Sequence, residues 1–363
     1  MKMAIICDDL IQKGGAEYVF LDIINIFPEA DIYTSVISKE WKNILKKQGR
    51  EVKVSFIQKL PLAVKLNRYY SVLLLHILAF KSFDLTKYDL VLSLSARYAH
   101  FVHTTPDTKH VCYMHSPGRM FWEPFNYFKK LTYWFLKFPL TIIRMMDYTA
   151  AQKVDLFLAN SKTAKKRIKK YYKRDSTVLY PAINIKNIKD LLSYEKPEED
   201  YYLIISRLVC WKRIDIAIKA FNENGKKLYI AGSGPDIKRL KKSAESNICF
   251  LGYISQKEKY NLIQNAQAVV QTQKEDFGLV PLEAAACGTP VVAYKKGGAL
   301  ETIVENITGI FFDEQTPESI NMTLNKFSKT SFDKEKLYEH AQEFDISKFE
   351  QNLRKFVYLD HKV

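Results

Sequence analysis

Short apolar runs alternate along this chain with longer segments whose apolar residues recur at helical spacing. Residues 3–7 (MAIIC) are one such run. After Gly14 and Gly15, residues 16–27 place Val19, Phe20, Ile23, Ile24 and Phe27 along one helical face. Further runs at 31–36, 90–94, 110–114, 156–159 and 177–179 predict strands, and Ser161 is a good N-cap for the basic helix behind it. Strands that are apolar on both faces and interleaved with helices predict a mostly parallel sheet covered on both sides.

Residues 181–200 break the rhythm. The stretch is polar and ends in Glu198, Glu199 and Asp200, which reads as a linker. The alternation then restarts, with strands predicted at 201–206, 227–231, 248–251, 268–271, 290–294 and 309–312, and helices beginning near 213 and 279. Two helical stretches close the chain, 333–343 and 347–358, the second carrying Phe349, Leu353, Phe356 and Val357 on one side. This predicts an α/β protein with a first Rossmann-like domain over 1–185, a second over 186–343, and a helix over 344–363 that packs back on the first. Ligands in such folds sit past the carboxyl ends of the strands.

The length, 363 residues, fits two domains. No signal peptide and no transmembrane run is evident in it. The five cysteines are scattered, with neither disulfide-frame nor zinc spacing, and read as buried thiols of a cytoplasmic protein. Charge is uneven. Residues 1–180 hold 29 Lys and Arg against 15 Asp and Glu, whereas 181–363 hold 26 against 25. A basic first half attracts phosphates, whether of nucleic acid, lipid headgroups or a substrate. No nucleic-acid-binding motif accompanies it, so nucleic acid is not expected as a partner.

Chemistry concentrates in the second half. Arg207 and Lys212 follow a predicted strand, where a forked guanidinium and a compact ammonium can hold a diphosphate; a solvated basic surface uses the same residues. Glu275 falls in a loop and Glu283 just inside the next helix, and carboxylates accept well from vicinal hydroxyls of a sugar or ribose. The glycines at 232, 234, 297 and 298 would let backbone approach a ligand closely, although turns use them too. Neither a dinucleotide fingerprint nor a P-loop appears.

The segments SRLVCWKR (206–213) and EDFGLVPLE (275–283), continued by AAACGTPVVAYKKGGALE, resemble the donor-site region of the retaining glycosyltransferases of family four, which have the GT-B architecture of two Rossmann-like domains facing across a cleft. The resemblance implies that Arg207 and Lys212 grip the diphosphate of a nucleotide sugar, which is a co-substrate and not a cofactor. Glu275, helped by the backbone at Phe277, Gly278 and Leu279, would hold hydroxyls of the donor sugar. Glu283 would hold the ribose, with the base near Gly252, Tyr253 and Ile254. Gly14 and Gly15 match the family's glycine loop at the donor, and His115, in HSPGRMFW, matches its histidine past a strand end and joins Arg207, Lys212 and Glu275 as a catalytic candidate. That last segment also resembles a branch that builds bacterial surface polysaccharides, often from GDP-mannose.

Arg119, Trp122 and Glu123 are candidates for the acceptor side. His100, His103 and His110 cluster in sequence without carboxylates at ligand spacing, so no metal site is expected there, and no Asp-x-Asp follows a strand end to hold a phosphate-bound ion. The expected reaction is a retaining, metal-independent transfer of a hexosyl group, mannose from GDP-mannose, to a saccharide acceptor that is free or lipid-linked. Another GDP- or UDP-sugar, or an epimerase on the same fold, is the alternative. Stretches 60–83 and 125–146 mix apolar residues with lysine and arginine. They are expected to touch an anionic membrane surface peripherally, at the inner face of the cell membrane, the alternative being helices packed on a sheet with a basic rim.

Overall fold

The computed structural model describes residues 1–72, 74–124, 130–193 and 199–358. The chain forms two compact units, Met1–Tyr180 together with Asn352–Val363, and Pro181–Gln351. The first break precedes the expected 185/186 boundary. Residues 181–185 join the second unit because Ile183 N donates to Phe344 O (3.0 Å) and Ile346 N donates to Ile183 O (3.0 Å). Part of the predicted linker (194–198) and part of the apolar, basic stretch (125–129) lie outside the described residues.

The first unit is built on a parallel sheet of β1 (Met3–Cys7), β2 (Asp31–Thr34), β3 (Val52–Val54), β4 (Leu90–Ser95), β5 (Lys109–Met114), β6 (Leu156–Ala159) and β7 (Thr177–Val178), in the order β3-β2-β1-β4-β5-β6-β7. Every residue of β1 and β4 is buried, as expected of strands covered on both faces. The sequence reading lacked β3, an edge strand whose Lys53 and Val54 are exposed and which therefore leaves no apolar run. Ser161 caps the helix Lys162–Tyr172, accepting from Ala164 N (3.0 Å).

In the second unit β8 (Tyr202–Ile205), β9 (Leu228–Ala231), β10 (Ile248–Gly252), β11 (Ala268–Gln271), β12 (Val291–Tyr294) and β13 (Gly309–Phe312) are all parallel, in the order β10-β9-β8-β11-β12-β13. Its core packs Ile204, Leu228, Ile230 and Val270 of the sheet against Ile214, Ala217, Phe221 and Leu324 of the helices.

The last helix, Ile346–Tyr358, ends in the first unit. There Leu353 and Val357 are buried, Arg354 donates to Ile26 O (2.6 Å), and the Lys109 ammonium caps the helix end at Val357 O (3.0 Å). Each sheet has one switch point, where consecutive connections turn to opposite sides: between β1 and β4 in the first unit, and between β8 and β11 in the second. Loops leaving such a point diverge and leave a crevice between them.

Among the described residues no helix is long and apolar enough to cross a membrane, and no group of three or more His, Cys, Asp and Glu is placed to hold a metal ion. Cys7, Cys112 and Cys287 are buried, and burial pushes the Cys112 and Cys287 thiols up to about 12. Cys210 departs from the expectation of buried thiols: it lies exposed in the loop after β8.

Candidate functional site

The loops leaving β8 and β11 at the second unit's switch point carry three of the candidate residues. The β8 loop runs from Ser206 through the 3-10 turn Cys210–Lys212. Thr272, just past β11, anchors it by donating its hydroxyl to Lys212 O (2.7 Å). Lys212 is buried, and its ammonium bonds the Glu275 carboxylate. Gln273 Nε2 donates to the same Glu275 oxygen (2.9 Å), and the Trp211 ring lies 4.5 Å from the Lys212 ammonium. The buried ammonium and the partly exposed carboxylate offset part of each other's desolvation, and each orients the other. Arg207 is exposed on the same loop, ahead of the turn.

Two of the glycines singled out in the sequence sit where loop meets loop. A side chain at Gly232 would collide with Ser206 O, and one at Gly298 with Phe277 O. These glycines let the site's own loops lie against one another. Gly298 N donates to Glu275 O (2.9 Å), which fixes the segment Glu275–Phe277 from behind. Gly278, at φ +94°, turns the chain toward Leu279, which caps the helix Val280–Ala286 and accepts from Glu283 N (2.9 Å).

Glu283, on that helix, is largely buried and pairs with Lys259 at 2.7 Å. Lys259 belongs to the helix Gln256–Asn265, begun by a capping box of Ser255 and Glu258. The sequence reading missed it, because one lysine among several on a polar helix gives no signal. Gly252, Tyr253 and Ile254 form the turn from β10 to that capping box; Gly252 takes φ +73° and Tyr253 is exposed.

In the first unit, Gly14 caps and Gly15 opens the helix Gly15–Ile26, past β1 at the other switch point. The structure adds a network there that the sequence did not announce. The Asp8 carboxylate accepts four amides, from Ala96 (2.7 Å), Arg97 (3.0 Å), Tyr98 (2.9 Å) and Ala99 (2.8 Å), so it fixes the loop after β4. Buried Asp9 accepts from Arg97 and Asn67. Glu17 folds back toward Gly14, and burial pushes its carboxyl up to about 7.

His115 follows β5, half-buried, its ring edge-on to Tyr113 at 5.3 Å, with its amide donating to Ser95 O (2.9 Å). Arg119 opens the short helix Arg119–Trp122. Trp122 donates to Asp147 (2.6 Å) and stacks on Tyr171, and Glu123 pairs with Arg167 (3.1 Å), so both lock this segment to the helices Lys130–Gln152 and Lys162–Tyr172. His100 and His110 bond Ser95 and Ser93 of β4, both at 2.8 Å, and burial pushes His110 down to about 3. Both are core histidines.

Two family profiles match the chain: "Glycosyltransferase Family 4" over residues 13–187 and "Glycosyl transferases group 1" over 186–344. Among curated relatives, an alpha-1,3/1,6-mannosyltransferase ALG2 of Mus musculus is 29% identical over 251 residues, covering 59% of this chain and 58% of that protein. The ALG2 of Kluyveromyces lactis is 28% identical, covering 60% and 51%. The chain thus spans about half of the curated relatives it matches. Among solved structures, Anabaena Alr3699/HepE in complex with UDP-glucose superposes with a TM-score of 0.70 at 20% identity, covering 98% of this chain and 99% of that one. Sucrose-phosphate synthase from Thermosynechococcus elongatus gives 0.73 at 16% identity, covering 97% and 98%. These structures share the fold.

Proposed function

The chain belongs to the family-four glycosyltransferases, and from that premise we propose that it transfers a hexosyl group from a nucleotide sugar to a saccharide with retention of anomeric configuration. The observation that carries the reading is the Lys212–Glu275 contact, made across the two loops of the second unit's switch point. A diphosphate laid there meets the Lys212 ammonium and the Arg207 guanidinium. Both stabilise the charge that builds on the leaving group as the glycosidic bond breaks. Glu275, oriented by Gln273 and Lys212, accepts from hydroxyls of the donor sugar and holds the ring while its anomeric carbon becomes cation-like. Glu283, held by Lys259, accepts from the ribose. The acceptor attacks from the face the diphosphate leaves, and a diphosphate oxygen takes its proton, with no carboxylate acting as nucleophile.

We read the donor as GDP-mannose, the acceptor as a lipid-linked saccharide of surface polysaccharide synthesis, and the location as peripheral on the inner face of the cell membrane. The mannosyltransferase relatives support the sugar. A UDP-sugar donor is the second reading, favoured by the UDP-glucose held in the HepE structure. Calorimetric titration with GDP-, UDP-, ADP- and dTDP-sugars tests both: tightest binding of GDP-mannose supports the first reading, and tightest binding of a UDP-sugar replaces it. Lysine and arginine supply the countercharge, so transfer is expected to continue unchanged in a chelator of divalent ions. Loss of turnover in chelator, restored by Mg²⁺, would contradict this.

A further inference from the structure

The helix Lys130–Gln152 shows solvent a row of large apolar side chains. Trp134 is 70% exposed, Phe138 76% and Met145 66%, with Ile142 and Tyr148 at 39% each. Their spacing of three and four residues puts them on one face, while Leu140 and Ile143 of the opposite face enter the core. A face of this size left in water marks an interaction surface. Lys137 is exposed beside the row, and the helix's one acidic residue, Asp147, is buried against His100 and Trp122, so the exposed face carries no negative charge.

The row runs into a cavity of about 300 Å³, walled by Met145, Met146 and Thr149 of this helix and bordered by Lys81, His103 and Lys153. Lys81 and Lys153 line the same cavity as His103, and burial first and then both lysines lower the His103 pKa. No carboxylate lines it. An apolar wall with two cations at the rim matches an amphiphile with an anionic head. A free phosphate would leave the apolar wall unused, and an apolar peptide would leave the cations unused.

We propose that this face docks on an anionic bilayer, the apolar row lying at the headgroup and acyl boundary, and that the cavity seats one anionic phospholipid with its phosphate between Lys81 and Lys153. The proposal deepens the membrane attachment proposed above and rests on it.

The test is flotation of the full chain with phosphatidylcholine vesicles, with and without phosphatidylglycerol. The wild type is expected to bind only the vesicles containing phosphatidylglycerol. Lys81→Gln and Lys153→Gln should each weaken that binding about fivefold, and Phe138→Ser about tenfold or more. The charge-matched single controls Lys42→Gln and Lys46→Gln, on exposed lysines of another helix, should each change it by less than about twofold if the cavity is responsible. Donor titration of each variant, unchanged from wild type, verifies folding without reference to membranes. If the wild type ignores both vesicles, the membrane attachment falls and the cavity proposal with it. If either control weakens binding as much as the cavity variants, or the cavity variants have no effect, the phospholipid site is wrong and general attraction to the bilayer remains.

Discussion

At the residue scale the second unit turns on one ammonium. Lys212 is buried and held by Glu275, Trp211 and the anchor at Thr272, so its ammonium is fixed in one orientation. Lys212→Ala and Glu275→Ala should each lower kcat by about 100-fold or more in a transfer assay, with far-UV circular dichroism unchanged. Full turnover in both would refute their roles. Glu283→Gln should instead raise KM for the donor and leave kcat nearly unchanged, because ribose contacts are the same in ground and transition state. Spacing and resemblance singled out the acids Glu275 and Glu283 as candidates. Their partners Gln273 and Lys259 were not legible, since neither stands out from ordinary polar residues until the fold brings it near. A different residue sets a pH dependence. Burial raises the Asp22 carboxyl to about 7 in the folded protein. Between the ordinary carboxylate range and about 7 the folded state therefore holds a proton that the unfolded chain has released. Stability must fall as pH rises through that window and level off above it. Glu17, raised to the same range, adds to this slope, so Asp22→Asn should make it shallower without abolishing it in thermal melts recorded from pH 4 to pH 8; an unchanged slope would show that Asp22 is ionised when folded.

At the element scale the loops rather than the strands carry most of the candidate residues, and glycine decides how closely they pack. Because a side chain at Gly298 would collide with the backbone of Phe277, Gly298→Ala should displace the Glu275 segment. It should cost about 2 kcal/mol or more in denaturant unfolding and lose donor binding with it. A variant of wild-type stability and affinity would mean that the loop has room. The sequence offered these glycines as ligand-approach or turn positions, and the loop-on-loop contact at Gly232 and Gly298 appears only once the fold brings distant loops together. Strands such as β1, β4 and β11 were legible because burial on both faces leaves largely apolar runs, broken only by Ser93 and Ser95 of β4 and by Gln271 of β11. Strand β3 was not, because an exposed edge strand has no such constraint. Trp122 and Glu123 read as acceptor-side loop residues and proved to be bonded to Asp147 and Arg167, a tie that appears only when three segments distant in sequence meet.

At the scale of the whole molecule, two parallel sheets each offer one switch point, and the chain's last helix returns to the unit where the chain began. Truncation after Gln351 removes Leu353, Val357 and the Arg354 bond to Ile26, and should lower the melting temperature of the first unit by several degrees. The two-unit organisation was legible from the restart of the alternation near 201. The asymmetry of charge was legible too, whereas the exposed apolar row of the Lys130–Gln152 helix appears only once the fold shows which of its residues stay outside. The central claim is that Arg207, Lys212, Glu275 and Glu283 share one nucleotide-sugar donor, and calorimetric titration of the winning nucleotide sugar against wild type and Lys212→Ala tests it most directly. Saturable one-to-one binding by the wild type, weakened at least tenfold in the variant, is the predicted result. Equal affinity in the two proteins would contradict it.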